Sequence, residues 1–180
     1  RDRYNEQLTK EAELEDHINI QIGNYEQLPF AREAFDIVWS QDAFFHNKQR
    51  EKVFREVARV LKPEGRFIFT EVLKSQDCPD AVLKDIEAVV PVGHLFSIRE
   101  YRRIARKADL EQVFVREMPE QLIKHYSKVI DAAKDQLKKL SEKADKDLLQ
   151  NMIDTWGLYV ENGEKGYLNW GILQFQKRNI

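Results

Sequence analysis

Between Phe35 and Val72 the hydrophobic pattern changes period twice, and this restricts the fold more than any other feature of the chain. Phe35-Asp36-Ile37-Val38-Trp39 is a short run of β-favouring residues. Residues 48–61 then carry Val53, Phe54, Val57, Ala58 and Leu61 at helical spacing. Lys62-Pro63-Glu64-Gly65 closes that helix with residues unable to continue it. Arg66-Phe67-Ile68-Phe69-Thr70-Glu71-Val72 follows as a strand, apolar and β-branched enough for burial on both faces. Strand, helix and strand in succession predict an α/β sheet with helices on both faces.

The flanking sequence extends the alternation. Tyr4, Leu8, Ala12 and Leu14 predict a short amphipathic helix over 2–14. Ile18-Asn19-Ile20-Gln21-Ile22 alternates strictly and reads as a strand, stopped by Gly23-Asn24, with a loop at Leu28-Pro29-Phe30. A helix is predicted over 98–108 and a strand over 112–115. Long amphipathic helices follow over 120–143 and 145–161, then a turn at 162–166 and a final strand over 167–177. No repeat, low-complexity tract or proline-rich linker divides the 180 residues, so one domain is expected. A chain of this length buries roughly 70% of its unfolded surface and needs no disulfide or metal to fold.

Composition removes several function classes. Apolar residues at 42% and aromatics at 11% suit a globular protein. Charges nearly cancel, 29 basic against 31 acidic, leaving no electrostatic case for nucleic acid. No apolar run approaches the roughly 18 residues a membrane helix needs, so a cytoplasmic protein is expected. The single cysteine, Cys78, excludes an internal disulfide and a cysteine metal cluster. No HExxH, GxSxG, glycine-rich phosphate loop or spaced His/Asp set is present, so no metal is expected. The chain opens on Arg1-Asp2-Arg3, without methionine and in a helical pattern, so the natural protein is expected to begin further upstream.

Open α/β sheets bind ligands beyond the carboxyl ends of their strands. That directs attention to Gly23-Asn24-Tyr25, Ser40-Gln41-Asp42, Glu71 to Lys74, and the loop from Val92 to Ser97. Asp42 and His46 stand four apart, which one helical turn would bring to the same side. A carboxylate there can hold an amine, and an imidazole can accept a proton near neutral pH. The same spacing also suits a turn-capping Asp42 and a solvated His46. Asn24 and Tyr25 can pair with and stack on a purine, or form an ordinary β-turn. Late aromatics recur at Tyr126, Trp156, Tyr159, Tyr167 and Trp170, beside His125. Such faces bind quaternary ammonium groups; Trp156 and Tyr159 equally suit a core, and the mixed charges between Lys134 and Asp147 suit a solvated helix face.

Three ordered blocks carry a family resemblance: Gly23-Asn24-Tyr25-x-x-Leu28-Pro29-Phe30, Phe35-Asp36-Ile37-Val38-Trp39-Ser40-Gln41-Asp42-Ala43, and Val57-Ala58-Arg59-Val60-Leu61-Lys62-Pro63-x-Gly65. They resemble the signature of class I S-adenosylmethionine-dependent methyltransferases. Trp39-Ser40-Gln41-Asp42-Ala43-Phe44-x-His46, His125-Tyr126-Ser127-Lys128-Val129 and Gly166-Tyr167-Leu168-Asn169-Trp170-Gly171 resemble more closely the sarcosine/dimethylglycine N-methyltransferases, which make betaine from glycine derivatives. Phosphoethanolamine N-methyltransferases share a Ser-x-Asp-x-x-x-His segment and a late Trp-Gly.

The resemblance implies a Rossmann-like sheet that lacks the family's first strands, with residues 120–166 as a helical lid inserted before the last strand. It implies S-adenosyl-L-methionine as cofactor, with Gly23, Asn24 and Tyr25 on the adenine side and Ser40, Gln41 and Phe45 along the methionine part. Asp42 and His46 would meet the substrate amine as the catalytic pair, with His125, Tyr126 and Trp170 on the substrate side. Arg99 would suit a substrate carboxylate, or be an ordinary surface arginine. The family's first strand, glycine-rich turn and the acidic residue ending its second strand have no counterpart here. The chain as it stands is therefore expected to bind the cofactor weakly. Two rival readings remain: a phosphobase methyltransferase, and a betaine-binding module without turnover.

Overall fold

The computed structural model describes residues 2–44, 47–89, 94–140 and 143–179. Its elements are α1 (Asp2–Glu11), β1 (Phe35–Gln41), α2 (Arg50–Val60), β2 (Leu61–Lys74), α3 (Asp80–Val89), α4 (Ile98–Arg106), β3 (Leu110–Glu117), α5 (Pro119–Leu137), α6 (Lys143–Glu164) and β4 (Leu168–Lys177). The four strands form one sheet in the order β1-β2-β4-β3. β1 and β2 are parallel, while β4 runs antiparallel to both β2 and β3. The carboxyl ends of β1, β2 and β3 therefore share one edge with the amino end of β4.

Side-chain alternation divides the sheet into two faces. Val38, Phe67, Phe69, Val115, Leu173 and Phe175 point to the face covered by α2 and α4, where they meet Val53, Phe54, Tyr101 and Ile104. The rings interlock: Phe54 stands edge-on to Phe67 at 5.2 Å, and Phe69 stacks on Phe175 at 5.9 Å. Replacing Phe54 or Phe69 by alanine would cost about 3–5 kcal/mol. On the other face Val72, Ile86, Leu95, Leu122, Tyr159 and Leu168 form a second core, contributed by α3, α5, α6, the strand ends and the segment before α4. The lower part of that face carries Ile37, Trp39 and Phe114 at 57%, 58% and 48% exposure.

Several expectations are corrected. Residues 18–22 form no strand, and Ile18 and Ile22 are exposed. Alternation alone cannot hold an extended segment; it needs a neighbour for its N–H and C=O groups, and no described strand lies beside it. The helix expected over 120–143 ends at Leu137, and α6 begins at Lys143. The turn expected at 162–166 starts later, because α6 runs on to Glu164. Gly163 there lies against α5: an added Cβ would sit 3.0 Å from Leu122 Cδ2 and 3.1 Å from Ile123 Cγ1. This places the end of α6 against the start of α5, so the two helices run antiparallel. The stop comes at Gly166, whose φ of 76° lets Tyr167 N–H reach Asn162 O at 2.9 Å. Helix α3 was not anticipated, although Pro79 beside Asp80 is a helix-start signal.

The Lys62-Pro63-Glu64-Gly65 segment ends α2 but then joins β2 instead of forming a loop. Strand pairing slips between Phe35↔Leu61 and Ile37↔Arg66, and Glu64 takes a φ of 63°. The extra residues are accommodated as a bulge.

Candidate active site

The strand ends assemble a small polar centre. Asp42 follows β1 directly, and its N–H donates to Thr70 O at 2.9 Å, extending the β1–β2 ladder by one step. Its φ of 46° is left-handed, a conformation that aspartate tolerates better than most residues. Backbone of this kind costs about 1 kcal/mol or more and persists where its surroundings over-determine it. Here the restraint comes from the far end of the chain: Trp170 Nε1 donates to Asp42 Oδ1 at 2.8 Å. Trp170 is placed for this by β4, where it pairs with Val72.

Aromatic rings continue outward from Trp170. His125 of α5 lies 5.3 Å from it, Tyr126 stands edge-on to His125 at 5.1 Å, and Tyr159 of α6 stands edge-on to Tyr126 at 5.0 Å. Burial, then the neighbouring Tyr159 and the charges of Asp42 and Glu71, push the Tyr126 hydroxyl well above its ordinary range. Burial and the Glu71 charge push Tyr159 up to about 12. Both phenols thus stay neutral at any physiological pH, as donors beside a negatively charged centre.

A second tier lies beneath. Glu71 in β2 is fully buried and accepts the Phe44 N–H at 2.5 Å. Arg50 of α2, 3% exposed, donates through Nε to Phe44 O at 3.0 Å and through Nη1 to His94 O. Its guanidinium lies 4.2 Å from the centre of the Phe96 ring. Phe44 itself plugs into Phe54, Phe67 and Phe69.

The residues singled out from the sequence fall in separate places. Asp42, His125, Tyr126 and Trp170 come together, although they lie in segments far apart in the chain. Ser40 and Gln41 lead into Asp42 at the end of β1, Ser40 half-buried and Gln41 exposed. Gly23, Asn24 and Tyr25 form a turn in which Asn24 O accepts from Gln27 N and Asn24 Oδ1 from Glu26 N. The turn reaches the centre through Tyr25, which stands edge-on to Phe44 at 6.3 Å. Arg99 lies on the exposed side of α4, in an open groove with Gln76, Arg102, Arg103 and Arg106. Among the described residues no hydrogen bond or ring contact joins Arg99 to the Asp42 cluster. Phe45 and His46 lie outside the described residues.

Glu71, Arg50 and Phe44 were not picked out individually. One signal was available: Glu71 is a carboxylate between the apolar Phe67-Ile68-Phe69 and Val72-Leu73 runs of its strand, and carboxylates are almost never fully buried without a partner.

A family described as a methyltransferase domain matches residues 2–69. The sarcosine/dimethylglycine N-methyltransferase of Aphanothece halophytica is 35% identical over 173 residues, covering 96% of this chain and 62% of the relative. The protein of the same name from Halorhodospira halochloris is 34% identical over 174 residues, 95% of this chain and 61% of its own. A solved structure from Galdieria sulphuraria, provisionally assigned as a sarcosine dimethylglycine methyltransferase, matches with a TM-score of 0.89 at 29% identity. It covers 98% of this chain and 66% of that one. The chain thus spans about three fifths of the length of the curated relatives it matches. No helix among the described residues is long and apolar enough to cross a membrane.

Proposed function

We propose that the chain is a class I S-adenosylmethionine-dependent methyltransferase and that it acts in the N-methylation of glycine derivatives, sarcosine and dimethylglycine, to betaine. The observation carrying this reading is the Asp42 carboxylate, held by Trp170 Nε1 and followed outward by the His125, Tyr126 and Tyr159 rings. A carboxylate with aromatic faces beside it suits a small cationic nitrogen compound.

The residues present also fit S-adenosyl-L-methionine. The same negative centre suits a sulfonium, and Tyr25 has 40% of its surface open beside Phe44 for an adenine to meet. Ser40 and Gln41 would hold its methionine part, with Phe45, and Gly23, Asn24 and Tyr25 its adenine side. When bound, this cofactor supplies an electrophilic methyl group.

The chain's own part is alignment and proton handling. Asp42 draws the amine to the end of β1 and fixes its orientation, and alignment can be worth several kcal/mol. His46 takes the proton that the amine must lose before its lone pair can react. His125, Tyr126 and Trp170 cover the substrate side, exclude water and receive the cationic product. Residues 120–166 act as the lid. Betaine is the product ligand; the protein is cytoplasmic, takes no nucleic acid and can self-associate.

The test is methyl transfer from labelled S-adenosylmethionine by the complete gene product, with sarcosine, dimethylglycine and phosphoethanolamine side by side. Turnover of the glycine derivatives is expected. Preference for phosphoethanolamine would replace this reading with the phosphobase one. Betaine binding with no turnover of any substrate would leave a binding module.

A further inference from the structure

Two buried charges of opposite sign grip one residue of the substrate-side turn. Glu71 accepts the Phe44 N–H at 2.5 Å, and Arg50 Nε donates to Phe44 O at 3.0 Å. Neither charged group has meaningful access to water, at 0% and 3% exposure. Burying an ion costs several kcal/mol, and apolar side chains of similar volume in place of a whole buried pair are often neutral or stabilising. The neighbours of Glu71 on the same sheet face, Phe69 and Leu73, are apolar, so packing alone would call for an apolar residue here.

What the two charges do is visible from the geometry. Consecutive residues of β2 restrain alternate residues of the turn: Thr70 O takes the Asp42 N–H, and the Glu71 side chain takes the Phe44 N–H. Between them Asp42 holds its left-handed φ of 46°. Arg50 ties the other side of Phe44 to the segment before α4 through His94 O, with its guanidinium over Phe96. We infer that Glu71 and Arg50 are positioning residues that fix the turn presenting Asp42, so that cation recognition depends on a clamp that never touches the ligand. This rests on the reading of Asp42 as the group that holds a cationic nitrogen.

The test uses ligand preference and amide exchange together, on the full chain. Betaine and 3,3-dimethylbutanoate have the same shape and differ by the charge at the branched centre. Wild-type protein is expected to prefer betaine. Glu71→Leu removes the acceptor and should cut that preference about tenfold, the size expected for losing a well-aligned charge-assisted contact. Phe44 amide exchange should accelerate in the same variant by more than its loss of global stability, read from the slowest-exchanging core amides, accounts for. Glu71→Gln keeps an acceptor oxygen and should restore both the preference and the slow exchange. If Glu71→Leu does not fold, Arg50→Lys, which shortens the reach to Phe44 O, should lower the preference in a folded protein.

Wild-type preference together with wild-type Phe44 exchange in Glu71→Leu overturns the clamp. An unchanged preference in a folded Arg50→Lys overturns it equally. Lack of any preference in the wild type overturns the reading of Asp42 instead, and with it the role assigned to the clamp; Phe44 exchange then reports the hydrogen bond alone.

Discussion

Trp170 Nε1 donates to Asp42 Oδ1 over 2.8 Å, linking residues 128 positions apart in sequence. This bond serves two ends. It restrains the Asp42 side chain beside its left-handed backbone, and among the described residues no hydrogen bond occupies the second carboxylate oxygen.

The two roles separate in Asp42→Asn. Asparagine accepts the indole N–H through its own oxygen and tolerates a φ of 46° as readily as aspartate. The fold should therefore be retained with little change in melting temperature. The lost charge should weaken betaine binding about tenfold to a hundredfold, the value of a charge-assisted hydrogen bond. Calorimetric titration checks this, and equal affinity in the variant would remove Asp42 from the site.

Alkaline stability should depend on Tyr159. Its folded-state pKa is raised from the ordinary 10 to about 12, first by burial and then by the Glu71 charge. The folded chain then binds more protons than the unfolded one between those values. The associated stability is fully present below pH 10 and is lost as pH rises through about 12. Roughly 2–3 kcal/mol is involved. Tyr159→Phe should flatten the fall of urea midpoint with pH across that window; an unchanged slope would contradict the assignment.

Gly171 should resist substitution for reasons of space. An added Cβ would lie 2.5 Å from Leu73 Cδ1, and Leu73 is 1% exposed. Gly171→Ala should cost about 1–3 kcal/mol by overpacking. In a Leu73→Ala background the same change should cost much less, since the clashing methyl is gone. A double-mutant cycle on denaturant unfolding measures the coupling, and strict additivity would show that the neighbour yields freely.

Among the described residues, Ile37 and Trp39 lie exposed on one face of the sheet, on the strand at its edge. Such surfaces favour association with other chains. Ile37→Lys should lower the sedimentation coefficient of this chain at high concentration without affecting its melting temperature. If wild type and variant sediment alike, that face is not where copies meet.

Much of the architecture was legible in one dimension. The period change from Phe35 through Val72 located β1, α2 and β2, because a chain that buries one face must repeat its apolar residues with the period of its own backbone. Proline and glycine positions carried less information. Pro63 and Gly65 ended α2, yet the residues between became a bulge, since β1 lay close enough to keep pairing. Gly163 looked like a turn residue but served to let α6 approach α5. Ile18 to Ile22 had the alternation of a strand, with no strand among the described residues beside it to pair with.

The site divides along the same line. Local spacing was sufficient to bring Ser40, Gln41 and Asp42 to the end of a strand, because strand ends are a property of the segment itself. Meetings between distant segments leave no mark in local periodicity. The antiparallel insertion of β4 between β2 and β3 set Trp170 against Asp42, and the pairing of α5 with α6 set Tyr126 against Tyr159. Whether the carboxylate of Glu71 would be an exposed charge or a buried clamp was likewise settled only when α2 and the Phe44 turn closed over it. Burial and hydrogen bonding depend on what packs against a residue, and that is fixed by the folded neighbourhood.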